Sequence, residues 1–195
     1  VSDEPFYSHF LHKTGLKHPL RDKIIRSGLI DYNEIIKYIT GAIPSSKKIW
    51  YQKHMAHHIF PELDMNWIKN MKNCLLVRHP CDVILSYSKK NEINDIQQLG
   101  YLQQIDIYKM LYQEIGTPPI IIDVQDLLQK PRKMLIELCR SLKIKFNEKM
   151  LSWPSGSRKT DGIWGEHWYK QVNASTSFKP YIKSNRIIPH KYEVL

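Results

Sequence analysis

"NCLLVRHPCDVILSYSKK", Asn73 to Lys90, carries the first evidence for the fold. Four apolar residues, Cys74 to Val77, stand between Asn73 and Arg78. A short unbroken apolar run predicts a strand buried on both faces, as in parallel sheets. Pro80 cannot continue a strand, but its fixed φ suits the first turn of a helix. Asp82 in that turn suits the positive end of the helix dipole. The stretch therefore predicts strand, tight turn, helix. In a parallel sheet, ligands gather at the carboxyl ends of strands, and Arg78 stands at such an end. The helix after it is expected to offer free backbone N–H groups to an anion. Ser86 lies eight residues beyond Arg78, a little over two turns at ~3.6 residues per turn, and adds a hydroxyl donor. A guanidinium fork with a hydroxyl suits a phosphate or sulfate group. The competing reading pairs Arg78 with Asp82 or Asp123 and leaves Ser86 as a small packing residue.

Working outward, "IQQLGYLQQIDIYKMLYQEIG", Ile96 to Gly116, has the spacing of an amphipathic helix with Gly116 as its C-cap. "PIIIDV", Pro119 to Val124, reads as a second buried strand. "DLLQKPRKMLIELCRSLKI" follows as a helix with Asp126 as N-cap. Strand–helix–strand–helix order predicts an α/β domain with a central parallel sheet and crossover helices. Upstream, residues 19–40 read as two short helices interrupted at Gly28, residues 41–46 as a loop, and Lys47 to Met55 as a β-rich run. "HHIFPELDMNWIKNMKN" reads as a helix or loop-helix. From Ser152 to Ser184 the chain is rich in Gly, Ser, Thr and Trp, which predicts a long surface loop with aromatic anchors.

The chain has 195 residues, enough for one α/β domain spanning 1–195, with 42% hydrophobic residues and 25% charged ones. Its formal net charge of +10 favours anionic partners, although a diffuse basic surface has the same composition. Neither a basic tail nor an aromatic–basic repeat appears, so a nucleic-acid partner is not expected. Three cysteines without a C-x-x-C pair argue against structural zinc and for reduced, cytoplasmic thiols. No apolar run reaches the ~18 residues of a membrane helix, and there is no secretory leader. The chain opens on "VSDEPFY", like the end of a strand, and closes on "HKYEVL", like the start of a helix. Both ends read as cuts in a longer protein. The oligomeric state is not legible.

"VRHPCDVILSYSKK" resembles the 3′-phosphate-binding segment of the P-loop-like sulfotransferases that use 3′-phosphoadenosine 5′-phosphosulfate (PAPS). Arg78, Pro80, Asp82–Val83 and Ser86–Tyr87 match that segment in type and spacing. The resemblance implies that Arg78 and Ser86 hold the donor's 3′-phosphate. "IIIDVQDLLQKPRKMLIELCRSLKIKFNEKML" resembles a later strand and helix of the family, with two departures. Val124 stands where a Tyr is common, and Lys143 where Gly is usual. "DEPFYSHFL", "YQKHMAHHI" and "WPSGSRKTDGIWGEHWYKQVNASTSF" resemble a bacterial and plant subgroup related to branched-chain aminotransferase-like proteins. The resemblance covers nearly the whole chain. It implies a P-loop-like three-layer fold and transfer of a sulfuryl group to a hydroxyl or amine of a small-molecule acceptor, without a metal. It also implies that the loop for the donor's 5′-phosphosulfate precedes Val1, so the piece given is not expected to catalyse transfer by itself.

The same resemblance places a catalytic base and a helper lysine in "WYQKHMAHH". His54 is the first choice for base, because imidazole titrates near working pH. Lys53 would neutralise charge building on the leaving phosphate. In the family Lys and His are separated by one residue, whereas here they are adjacent. His57 and His58 compete with His54 or merely pack. Glu4 competes too, as base or acceptor-orienting carboxylate, or else forms a loop salt bridge. A metal held by His54 and His58 four residues apart lacks a clear third ligand. Arg158 and Lys159 occupy the place of the family's basic loop over the 3′-phosphate. Trp164 and Trp168 read as packing anchors more readily than as adenine stackers. Two rival functions stay open: a P-loop-type phosphotransferase or nucleotide hydrolase, and a non-catalytic nucleotide-binding domain.

Overall fold

The computed structural model describes residues 1–44, 47–60, 62–183 and 185–194. Ser45 and Ser46 of the expected loop, and Ser184 at the end of the long loop, lie outside the described residues. The chain is mixed α/β and divides into two compact units, residues 1–67 with 154–175, and residues 68–153 with 176–195. The expected central sheet takes the form, among the described residues, of two separate two-stranded parallel sheets.

In the first unit, β1 (Ser2–Asp3) pairs in parallel with β2 (Gln52–Lys53), setting Asp3 opposite Lys53. Between them run α1 (Tyr7–Thr14), α2 (Arg21–Ser27) and α3 (Tyr32–Ile39). Helix α3 starts where the Asp31 carboxylate accepts the Glu34 amide at 2.9 Å. Gly28 ends α2, as expected, and the reason is space. A Cβ there would run into Ser8 of α1, whose hydroxyl bonds the Ile24 carbonyl. The core joins Tyr7, Phe10, Leu11, Ile24 and Trp164. The β-rich run over 47–55 narrows to the two residues of β2. Two 3₁₀ turns, Ala56–His58 and Asn66–Asn70, replace the longer helix expected after it. The segment read as a loop carries two helical turns, α8 (Gly165–Trp168) and α9 (Lys170–Asn173).

In the second unit, β3 (Cys74–Val77) and α4 (Pro80–Tyr87) form the predicted strand, turn and helix, with Pro80 in the first helical turn. A 3₁₀ turn, Ile96–Leu99, leads into α5 (Tyr101–Ile115), which ends at Gly116 in the left-handed conformation. Strand β4 (Ile120–Asp123) lies parallel to β3, from Cys74↔Ile120 to Val77↔Asp123. The single helix expected next is two, α6 (Val124–Gln129) and α7 (Pro131–Ser141). Pro131 cannot donate to the preceding turn and therefore opens a new helix. Burial on both faces fails for β3 and β4, because two strands cannot hide two faces. Leu76 and Ile121 are 53% and 52% exposed. The open edge of β3 is met by side chains of α5: Gln104 Nε2 donates to the Leu76 carbonyl at 3.1 Å and the Tyr101 hydroxyl to the Arg78 carbonyl at 2.6 Å. Ile84, Ile93 and Tyr192 form a core around α4. The terminal "HKYEVL" contributes a 3₁₀ turn, His190–Tyr192. Among the described residues no helix is long and apolar enough to cross a membrane.

Candidate functional site

Two clusters carry the residues singled out by the sequence, one in each unit. In the first unit, the parallel pairing of β1 with β2 brings Lys53 to the acidic pair Asp3–Glu4. The Lys53 ammonium reaches Glu4 Oε1 at 2.5 Å, Asp3 Oδ1 at 3.2 Å and the Tyr169 hydroxyl at 2.8 Å. An ammonium has three protons, so all of them are engaged. Tyr169 in turn donates to Asp3 Oδ2 at 2.7 Å and accepts Trp164 Nε1 at 3.3 Å. The amide of Gly162 donates to Asp3 Oδ2 at 3.2 Å. Asp3 and Glu4 keep only 8% and 11% of their side-chain exposure, against 38% for Lys53. Burial raises Glu4 above the ordinary carboxylate range, although Lys53 pulls against it. Burial alone would lower Lys53, but Glu4, Tyr169 and Asp3 outweigh it and hold the ammonium well above its ordinary value. Glu4 also has φ of 44°, in the left-handed region that a residue with a side chain seldom adopts.

His54 faces the other way. Neighbours along extended chain alternate faces, so Gln52 and His54 share one side and Lys53 takes the other. His54 Nε2 meets Gln52 Oε1 at 3.1 Å, and its ring packs on Phe6 and Trp67, each 5.6 Å between centroids. Its Nδ1 is buried with no partner among the described residues. Burial lowers His54 to about 4, so it is neutral at physiological pH. His57 is also lowered to about 4, by burial and then by His18. His58 is buried, stacks on Tyr7 at 4.8 Å and 3°, and burial holds it well below the ordinary imidazole value. His57 and His58 lie in a 3₁₀ turn and His54 before it, so the helical four-residue spacing for a metal does not form. Among the described residues no group of three or more His, Cys, Asp or Glu side chains is placed to hold a metal ion. The structure thus brings Lys53 and Glu4 together and sets His54 apart.

On the 154–175 segment, the Arg158 guanidinium bonds the carbonyls of Pro154 and Gly156 of its own loop, and Asp161 accepts the Arg158 amide at 2.7 Å. Lys159 is exposed. Trp164 is buried against Tyr7, edge to face at 5.3 Å, as a packing anchor. Trp168 is half-buried on the same core.

In the second unit, Arg78 follows the last residue of β3. The two acids considered as its partners meet other groups, although Asp82 Oδ1 is buried with no hydrogen-bond partner among the described residues. Asp82 Oδ2 pairs with Arg186 at 3.3 Å, and Asp123 caps α6 by accepting the Gln125 amide at 2.6 Å. Among the described residues the Arg78 guanidinium makes no hydrogen bond or ion pair, and it is exposed, as is Ser86 on α4. The expectation of free N–H groups at the start of α4 is corrected. Pro80 has none, the Cys81 amide is taken by His79 Nδ1 at 3.3 Å, and the Asp82 amide by the His79 carbonyl at 2.9 Å. Beside Arg78, burial pushes the Tyr101 phenol up to about 12, with the arginine pulling the other way. Sequence reasoning missed Asp3, Tyr169 and Arg186. Only the acidic doublet Asp3–Glu4 offered a signal. Arg186 also bonds Gln125 Oε1 at 3.1 Å, a partner 61 positions away that no local pattern announces.

A sulfotransferase domain family model matches residues 1–183. Branched-chain-amino-acid aminotransferase-like protein 1 of Arabidopsis thaliana is 34% identical over 190 residues, covering 97% of this chain and 34% of that protein. The corresponding protein 2 is 32% identical over 189 residues, covering 97% and 33%. The chain thus spans about a third of the length of these curated relatives. No solved structure gives a significant match. With the match running over 1–183 of 195 residues, the chain belongs to the sulfotransferase domain family.

Proposed function

We propose that the intact protein transfers a sulfuryl group from PAPS to a hydroxyl or amine of a small-molecule acceptor, on a P-loop-like three-layer domain that includes residues 1–195. The observation that carries this is Arg78: an exposed cation at the carboxyl end of a parallel strand, with Asp82 Oδ2 paired to Arg186 and Asp123 Oδ1 capping α6. Arg78 and Ser86 are assigned to the donor's 3′-phosphate. A guanidinium without a competing carboxylate fits a phosphate dianion. In the transfer, a lone pair of the acceptor atom forms the new bond to sulfur. The bond from sulfur to the 5′-phosphate oxygen breaks, and its electron pair stays with the leaving phosphate. A base of the protein takes the acceptor's proton.

His54 is the first assignment for that base: it is neutral, and its Nδ1 lone pair has no partner among the described residues. A second reading gives the role to Glu4, favoured by its left-handed backbone and its raised carboxyl beside Lys53. Strained φ values cluster at functional sites. Lys53 then either meets charge on the leaving phosphate or holds Glu4 in place. Calorimetry of the intact protein with 3′-phosphoadenosine 5′-phosphate tests the donor site. Arg78→Ala is expected to weaken binding by about 10- to 100-fold, the worth of one charge-assisted hydrogen-bond pair. Equal affinity would remove Arg78 from the site. His54→Asn and Glu4→Gln, assayed for kcat, separate the two bases.

A further inference from the structure

We infer that Tyr169 is a positioning residue: its hydroxyl fixes the Lys53 ammonium against Glu4 and, through Asp3, fastens the 154–175 segment to the end of β1. The polar atoms of Lys53 and Tyr169 are fully used. The Lys53 ammonium spends its three protons on Glu4, Asp3 and Tyr169. The phenol oxygen accepts from Lys53 and from Trp164 Nε1, and gives its one proton to Asp3. A phenol has one proton and two acceptor sites, and the nearest acceptors for that proton are the two Asp3 oxygens, at 2.7 and 2.9 Å, with Glu4 Oε1 farther off at 3.4 Å. Asp3 receives this phenol, the ammonium and the Gly162 amide. Gly162 is required at its position, because a Cβ there would strike the Trp164 ring.

Two attachments, Gly162 N–H and Tyr169 O–H, therefore hold the segment that carries Arg158 and Lys159 to the carboxylate that also touches Lys53. Without the hydroxyl, the ammonium keeps two carboxylate partners and one idle proton, and swings toward whichever acid is nearer. Trp164 Nε1 is left without its acceptor in a buried place. The ring itself lies 5.0 Å from the ammonium and packs on the core whether or not it bears oxygen. The hydroxyl thus has a role separable from packing.

The kinetic half of the assignment rests on the sulfuryl-transfer reading; the geometric half does not. Tyr169→Phe in the intact protein is expected to lower kcat about 100-fold, the effect of displacing a reacting group by roughly an ångström, with KM for PAPS nearly unchanged. Tyr169→Leu, which also removes the ring, is expected to lower kcat equally but the melting temperature further. Asp3→Asn should lower kcat in the same direction. If kcat instead follows the melting temperature across the three variants, Tyr169 is a packing residue only. Nitrogen-15 spectra of the Lys53 ammonium give a readout independent of turnover. A protected, slowly exchanging signal is expected in the wild type and a broadened one in Tyr169→Phe. Should the wild type transfer no sulfuryl group, that contrast still supports the positioning role, while identical ammonium signals in the two proteins overturn it.

Discussion

Lys53 and Arg78 are both cations at the carboxyl ends of parallel strands, and they live in opposite conditions. Lys53 has every proton engaged by protein groups and two carboxylates at less than 12% exposure beside it. Arg78 is exposed and has no hydrogen-bond or ion-pair partner among the described residues, while Asp82 Oδ2 meets Arg186 and Asp123 Oδ1 caps α6. The difference separates two uses of charge. A cation that the fold has neutralised shapes its neighbours, and removing it leaves buried acids exposed to one another. A cation left unopposed does little for the fold and keeps its field for a ligand.

Histidines extend the contrast, and acid provides the largest expected effect. In the first unit His58 is buried and His54 and His57 are half-buried, whereas His79 and His190 of the second are exposed. Above pH ~6.5 His54, His57 and His58 are mostly neutral whether the chain is folded or not. Below it, the unfolded chain takes up protons that folded His54 and His57 refuse until about pH 4. Stability should therefore fall as pH drops from about 6.5 to about 4, by up to roughly 3 kcal/mol for each of these two rings. Urea denaturation at stepped pH checks this. A flat profile across that window would contradict the buried, neutral rings.

Next in size is the removal of each cation. Lys53→Met should destabilise the protein by about 2–3 kcal/mol, less than for a fully buried pair because the lysine retains solvent. Glu4→Gln added to Lys53→Met should restore part of the loss. Arg78→Ala should change stability by less than about 0.5 kcal/mol, as for a surface residue without partners. Denaturation midpoints of the three proteins decide the matter. Similar losses for Lys53→Met and Arg78→Ala would erase the distinction.

What the sequence disclosed follows from how locally each feature is specified. The turn after β3 is written in adjacent residues, an apolar run, Arg78 and Pro80, and it lies where they place it. Gly116 also acts within its own neighbourhood, whereas Gly28 leaves room for Ser8 of α1. The β1–β2 pairing joins two residues to two others fifty positions away, and no periodicity of length two can announce that. The Asp3–Lys53–Tyr169 cluster depends on that pairing and on a segment 116 positions further from Lys53, so Tyr169 stayed invisible. The break at Pro131 was legible in principle, since proline opens helices. The apolar continuity on either side concealed it.

The smallest effect concerns which aspartate starts α6, and it bears directly on why Arg78 stands unopposed. The spacing pointed to Asp126, but Asp126 lies within the helix, and its own amide is 3.4 Å from Asp123 Oδ1. Asp123 has the extended backbone of a cap, and its carboxylate accepts the Gln125 amide at 2.6 Å. A capping carboxylate is held by the helix it starts, so it is not free to turn toward Arg78. Asp123→Ala should therefore cost about 1 kcal/mol of stability, the usual worth of a cap, and Asp126→Ala only a few tenths. If Asp123 instead served chiefly to neutralise Arg78, Asp123→Ala would markedly tighten binding of 3′-phosphoadenosine 5′-phosphate by releasing the guanidinium. As a cap, it should leave that affinity within about two-fold, since the cation it would release is already free.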